Sequence, residues 1–180
     1  MLSADRTRFL APGEDEVGWT ARRGRVPLGY LGDRTKTEET FPIIDGRRVA
    51  VPGDRARLGP DGSITLLGRD SMVVNSGGEK IFVEEVEDVI RRHPSVFDAL
   101  VVGRPSDRFG EEVVGIVQLR PGAAVEAFAL REFVAQSIAR FKAPRAIAFS
   151  DRIQRHASGK PDYQWARAVA ERAMAAAKRD

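Results

Sequence analysis

The chain has 180 residues, enough for one ordinary domain or two small ones, and its 42% hydrophobic and 31% charged residues are the balance of a globular protein, not of a disordered one. It has no cysteine and only two histidines, His93 and His156, which excludes disulfide frameworks, thiolate zinc sites and cysteine nucleophiles and argues against a histidine-rich metal centre. The net charge of +3 comes from interleaved charges without a basic block, so no nucleic-acid footprint is expected. No apolar run reaches spanning length and no leader-like apolar core follows the N-terminus, so neither a transmembrane segment nor a secretory signal is expected and the expected compartment is the cytoplasm.

The first 69 residues read as short strands and turns. Val17–Ala21 and Arg47–Val51 have strand-like composition, separated by Pro12-Gly13, Pro27, Gly29, Gly32-Asp33 and Asp45-Gly46. Thr35–Thr40 suits one helical turn with a threonine cap. Arg55–Leu58 and Ser63–Leu67 flank Gly59-Pro60-Asp61-Gly62, a hairpin signal in which Pro sets φ and Gly allows positive φ. The apolar content of this β-rich piece is small for a core of its own, and its edges are expected to be partly exposed.

From residue 70 the composition changes. Met72–Asn75 reads as a short strand ended by Ser76-Gly77-Gly78, and a helix is predicted over 83–92 from Val86, Val89 and Ile90. Glu84, Glu85, Glu87 and Asp88 read as a solvated helix start matched to the dipole, with Arg91 and Arg92 at the far end and Pro94 as the stop. Val96–Gly103 and Val113–Leu119 are β-branched strand runs, and Phe128–Arg140 is amphipathic through Leu130, Phe133, Val134 and Ile138. Ala146–Phe149 is a short strand, 152–161 a polar loop, and Asp162 the N-cap of an alanine-rich helix running to about Lys178. The order β-α-β-β-α-β-loop-α makes this part an α+β module, a three-stranded sheet with helices plus a short hairpin.

Three loops can carry chemistry. In Pro52-Gly53-Asp54-Arg55, a carboxylate after a glycine can approach a ligand and accept from two neighbouring hydroxyls such as a ribose diol. Between Gly68-Arg69-Asp70-Ser71 and Gly77-Gly78-Glu79-Lys80, the double glycine can line a narrow passage or meet an anion, though no nucleotide-binding fingerprint is matched. In Ser158-Gly159-Lys160, a lysine on a glycine-containing loop is a mobile cation that can neutralise a carboxylate and a phosphate as they react. Each loop taken alone reads first as an ordinary turn or a solvated side chain. No serine sits in a nucleophile elbow, and Arg140-Phe141-Lys142 is too short for a base-stacking platform.

In order, Val51-Pro-Gly-Asp54-Arg55, DGSITLLGRDSMVVNSGGEKIFVEEVE (61–87), HPSVFDALVVGRPSDRFGEEVVGIVQLRPG (93–122), FKAPRAIAF (141–149) and HASGKPDYQWA (156–166), with GYLGDRTKTEETF (29–41) upstream, resemble the C-terminal third of adenylate-forming enzymes of the acyl-CoA synthetase (fatty-acid–CoA ligase) group, most of all its actinobacterial members. The resemblance runs from about Gly13 to Trp165. It implies that residues 1–69 are the β-rich end of a large AMP-binding domain and 70–180 its C-terminal lid. It implies a two-step reaction in which a carboxylate attacks the α-phosphate of ATP, giving acyl-adenylate and pyrophosphate, and the coenzyme A thiol then displaces AMP to give the thioester. Carried over by motif, Asp54 and Arg69 meet the ribose, and Gly77 and Gly78 line the pantetheine passage. Lys160 bridges carboxylate and phosphate during adenylation, and Ser71 is the hinge on which the lid turns. At the hinge many relatives have Asp or Lys, and after the lysine they often have Arg where this chain has Pro161-Asp162-Tyr163. The implied ligands are ATP/AMP with Mg2+, coenzyme A and a carboxylic acid, and the implied partner is the large domain of the same ligase. That domain's phosphate loop and acyl pocket are not among these residues. The expectation is therefore an excised piece or the product of a truncated reading frame, without ligase activity by itself. The alternative is a catalytically silent interaction or regulatory module that keeps the lid fold.

Overall fold

The computed structural model describes residues 1–177, and side chains as far as residue 173. The chain divides into two compact units, the first Met1–Ser71 and the second from Met72 onward.

In the first unit, β1 (Gly18–Trp19), β4 (Asp54–Leu58) and β5 (Ile64–Arg69) form an antiparallel sheet in the order β1-β4-β5, while β2 (Ile43–Ile44) and β3 (Arg47–Arg48) form a small hairpin. The β4–β5 hairpin is the one expected from Gly59-Pro60-Asp61-Gly62, with Gly62 at φ 80°. The single helical turn is α1 (Arg34–Thr40), but its cap is Asp33, whose carboxylate accepts from the Lys36 N–H at 2.9 Å, and not a threonine. Aspartate holds that place because a carboxylate oxygen reaches the third N–H of the turn. Leu2, Trp19, Ile44, Val49 and Val51 make a small core, whereas Leu28, Leu31, Ile64 and Leu66 are exposed.

The second unit is α+β. β8 (Val96–Ser106) and β9 (Gly110–Leu119) form a long antiparallel hairpin, and β10 (Ala146–Phe149) lies parallel to β9. β6 (Val73–Ser76) and β7 (Glu79–Phe82) form the short hairpin, joined to the sheet where Ser76 pairs with Gly110. β8 therefore occupies one edge of β9, and β10 and β6 share the other, which makes five strands. Strand β7 was hidden in the sequence behind Glu79-Lys80; its second half, Ile81 and Phe82, is buried. Met72 belongs to a 3-10 turn, Asp70–Met72, that precedes β6.

Period-two alternation divides the core between the sheet's faces. Ala99, Val101, Val113 and Val117 pack with α2 (Val83–Arg91) and α3 (Ala127–Ser137). Leu100, Val102, Val114 and Ile116 pack with Ala166 and Ala170 of α4 (Tyr163–Ala177). Helix α3 stops at Ser137, short of the expected Arg140, because Ile138 leaves helical geometry (φ −137°, ψ 173°) while packing on the core, and a 3-10 turn, Arg140–Lys142, follows. Helix α4 is capped by Asp162 as expected, with the Trp165 N–H donating to its carboxylate at 2.9 Å. The expected end near Lys178 lies outside the described residues. No helix among the described residues is long and apolar enough to cross a membrane.

Candidate functional site

Asp54 opens β4 and Arg69 closes β5, and the hairpin register sets them opposite each other with Arg69 Nε 3.5 Å from the Asp54 carboxylate. Both side chains are part-exposed, so the carboxylate keeps open lone pairs that suit a diol. Beneath them Arg55 is buried. Its guanidinium stacks on Trp19 at 4.2 Å, donates to the Val17 carbonyl at 3.1 Å and lies 3.6 Å from Asp70. Burial lowers the Arg55 pKa, and Asp70 opposes that fall. The Asp70 N–H also donates to the Gly53 carbonyl at 3.1 Å, which ties the segment before Ser71 to the Asp54 turn. Ser71 itself is exposed and is the last residue of the first unit. Arg55 carries no local signal of its burial, which depends on Trp19, distant in sequence.

Gly77 and Gly78 are the two-residue tip of the β6–β7 hairpin, not a strand-to-helix turn. Their φ values of 61° and 88° are those of a type I′ turn, which needs left-handed backbone at both positions. The Gly77 N–H donates to the Phe109 carbonyl at 2.9 Å, so the tip is tethered to the β8–β9 turn. Around Gly78 nothing comes within 4 Å of where a Cβ would stand, so its surface is open.

Lys160 lies in the connection between β10 and α4. It is exposed, and its ammonium has no partner among the described residues. Its backbone is held: the His156 N–H donates to the Lys160 carbonyl at 2.9 Å, and the Gly159 N–H to the His156 carbonyl at 2.8 Å. Asp98 of β8 accepts from Arg155 through both carboxylate oxygens (Oδ1 at 3.0 Å, Oδ2 at 2.8 Å), and Arg155 also donates to the Gly159 carbonyl at 3.2 Å. Asp98 is aimed there by a bulge that leaves Phe97 exposed.

The acidic start of α2 corrects the sequence reading. Glu87 is 2% exposed, not solvated. One of its oxygens accepts from the Val101 N–H at 2.9 Å and the Tyr163 hydroxyl at 3.1 Å, while the other lies 3.4 Å from Arg91. Arg91 in turn donates to the Ala99 carbonyl at 3.0 Å and to Asp88 at 2.6 Å. Ala99 and Val101 present these groups on the free edge of β8, and the i,i+4 pair of α2 satisfies them. Burial pushes Glu87 up to about 7, against the lowering effect of these donors, and burial beside Glu87 also raises the Tyr163 phenol. Glu85 is bound as well, by Lys142 at 2.7 Å. Spacing placed Glu87 on the apolar stripe with Val83, Val86 and Ile90; a carboxylate on that stripe was the available signal.

Beside α3 an open groove of about 360 Å³ is lined by Arg131, Glu132, Arg140, Phe141 and Arg145, with Arg140 donating to Glu132 at 2.9 Å. Arg131 is fixed by the Pro144 carbonyl at 2.9 Å, and Arg145 stacks on Phe109 at 4.4 Å. Among the described residues no three His, Asp or Glu side chains form a group that could hold a metal ion.

Residues 85–160, ending on the loop lysine, match the AMP-binding enzyme C-terminal domain. That segment of the second unit is similar to the AMP-binding enzyme C-terminal domain. It is 58% identical over 167 residues to the medium-chain acyl-CoA ligase Mig of Mycobacterium avium, covering 93% of this chain and 30% of the relative. It is 50% identical over 158 residues to the 3-oxocholest-4-en-26-oate–CoA ligase of Rhodococcus rhodochrous, covering 88% and 28%. Among solved structures, ATP-bound MatB from Rhodopseudomonas palustris matches with a TM-score of 0.76 at 27% identity, over 89% of this chain and 31% of that one. The chain thus spans about 30% of the length of these curated relatives, which are CoA ligases by name. The α+β fold and the actinobacterial acyl-CoA ligase resemblance expected from the motifs are both borne out.

Proposed function

We propose that the chain is the closing part of an ATP-dependent acyl-CoA ligase: residues 1–69 the β-rich end of the nucleotide-binding domain, and 70–180 a lid. The reading is carried by Lys160, a cation with no partner among the described residues, on a loop whose backbone is fixed on both sides. A fixed backbone with an unengaged ammonium suits transient neutralisation of charge as a carboxylate meets the α-phosphate of ATP.

Asp54 and Arg69 fit the ribose, one as acceptor for two hydroxyls and the other as donor beside it. The open Gly77-Gly78 tip fits a passage for the pantetheine arm of coenzyme A, since any side chain there would stand in the opening. The arginine-lined groove suits the phosphates of the same molecule. Ser71, between the Asp70 anchor and β6, is the hinge, and a serine can absorb the backbone change. Among the described residues no carboxylate cluster forms a cage for Mg2+, which would enter such a site on nucleotide phosphates. The partner is the remainder of the same ligase, the substrate a carboxylic acid, and the setting the cytoplasm. By itself the chain is without ligase activity, because Lys160 alone holds neither ATP nor acid in place.

The test replaces the matching segment of the Mycobacterium avium medium-chain ligase with this chain and follows ATP–pyrophosphate exchange. The chimera is expected to exchange, and Lys160→Ala to lose about 100-fold or more. An active chimera indifferent to that substitution would mark the lysine, and the lid reading, as wrong; it would favour a silent module.

A further inference from the structure

Lys160 sits between the two ends of one side-chain network, no part of which the motifs assign. Before the lysine, Arg155 holds the Gly159 carbonyl at 3.2 Å. Arg155 is gripped by Asp98, and Asp98 lies 3.9 Å from Arg91. Arg91 lies 3.4 Å from Glu87. After the lysine, Tyr163 opens α4 and donates to the same Glu87 at 3.1 Å. The network runs from Gly159 through Arg155, Asp98, Arg91 and Glu87 to Tyr163. It passes round the free edge of β8, where Glu87 and Arg91 also hold the Val101 N–H and the Ala99 carbonyl.

We propose that Glu87 is a positioning residue for Lys160, fixing the lysine loop by holding Tyr163 on one side and, through Arg91, Asp98 and Arg155, Gly159 on the other. Edge-capping alone needs only the α2–β8 contacts. The extra acceptance from Tyr163 by the same oxygen links that cap to the first turn of α4, three residues after the lysine. An exposed loop of six polar or small residues would otherwise wander over many backbone states, and each lost tether returns that freedom. The network acts on the lysine's backbone and leaves its ammonium unengaged, as a group that must meet substrate in only one step requires.

The proposal rests on the reading of Lys160 as the adenylation lysine, and two experiments separate their failures. In the 180-residue chain, amide hydrogen exchange at His156 and Gly159 reports loop order directly, since both N–H groups bond within the loop. Tyr163→Phe, which removes one hydroxyl and no packing, is expected to speed exchange at these two amides about tenfold while leaving the β9 amides unchanged. Glu87→Ala is expected to do the same or more. Glu87→Gln, whose amide oxygen keeps the Val101 and Tyr163 bonds while its NH2 group cannot accept from Arg91, is expected to restore part of the protection. Unchanged loop exchange in Tyr163→Phe, or loss in Glu87→Gln equal to that in Glu87→Ala, overturns the proposal. In the chimeric ligase, Tyr163→Phe is expected to lower kcat for ATP–pyrophosphate exchange about tenfold with KM for ATP unchanged, the mark of an interaction realised in the transition state. A rise in KM at constant kcat overturns it. If Lys160→Ala leaves chimera exchange intact, the functional reading falls, while the loop measurements still decide whether the network fixes the loop.

Discussion

Glu87→Gln tests the energetics of the β8 edge through pH. The Glu87 carboxyl is pushed from 4.5 to about 7 by burial, while Val101, Arg91 and Tyr163 pull it the other way. The charged and titratable groups around it are Arg91 and Asp88 on α2, Asp98 on β8 and Tyr163 on α4. A folded-state pKa above the unfolded one means the folded chain binds this proton more tightly. The resulting stabilisation is full below about pH 4.5 and is lost as pH rises through about 7. Two and a half units at about 1.36 kcal/mol each come to about 3 kcal/mol, a large share of the ~5–15 kcal/mol typical of a domain. Gln retains the acceptor oxygen and cannot ionise. With Trp19→Phe as background, Trp165 fluorescence reports urea unfolding of the second unit alone. Between pH 5 and pH 8 the parent is expected to lose about 2–3 kcal/mol more than the Gln variant. Identical pH slopes, or a parent that gains stability relative to the variant, would refute the burial argument.

Substitutions at three further positions separate the units and their turns. Gly18→Ala would drive its Cβ into the Leu2 carbonyl oxygen, a backbone atom that cannot swing aside, so it is expected to unfold the first unit and expose Trp19 fluorescence while leaving Trp165 unchanged. Leu100→Ala, at a fully buried position between β8 and α4, is expected to cost the second unit about 2–5 kcal/mol in urea. Gly78→Val forces a β-branched residue to φ 88°, and is expected to lower the second unit's melting midpoint by several degrees, with Gly78→Asn falling clearly less.

The elements legible in the sequence were those whose signal is local. Val96–Gly103 and Val113–Leu119 announce themselves by β-branched runs, although pairing carries the strands on to Ser106 and back to Gly110, and α4 is signalled by Asp162 and alanine and the first-unit hairpin by Pro60 and Gly62. What escaped depends on partners far along the chain. Strand β7 begins with two charged residues and is a strand because β6 folds back on it. Glu87 looks like its neighbours Glu84 and Glu85 until a residue 76 positions later donates a hydroxyl to it. Among the candidate site residues, Asp54 and Arg69 are brought together by hairpin register, and Gly77 and Gly78 by the tip they form. The Lys160 loop was visible as a motif, but the Arg155–Asp98 grip that fixes it needs the bulge at Phe97, which no periodicity foretells.

Under the proposed function, the Lys160 ammonium serves acyl-adenylate formation and not thioester formation. Measuring both half-reactions in the chimeric ligase decides it: acyl-adenylate formation from acid and ATP, and thioester formation from supplied acyl-adenylate and coenzyme A. Lys160→Ala should slow the first about 100-fold or more and leave the second within about twofold. Equal slowing of both, or a first step as fast as the parent's, would contradict the account.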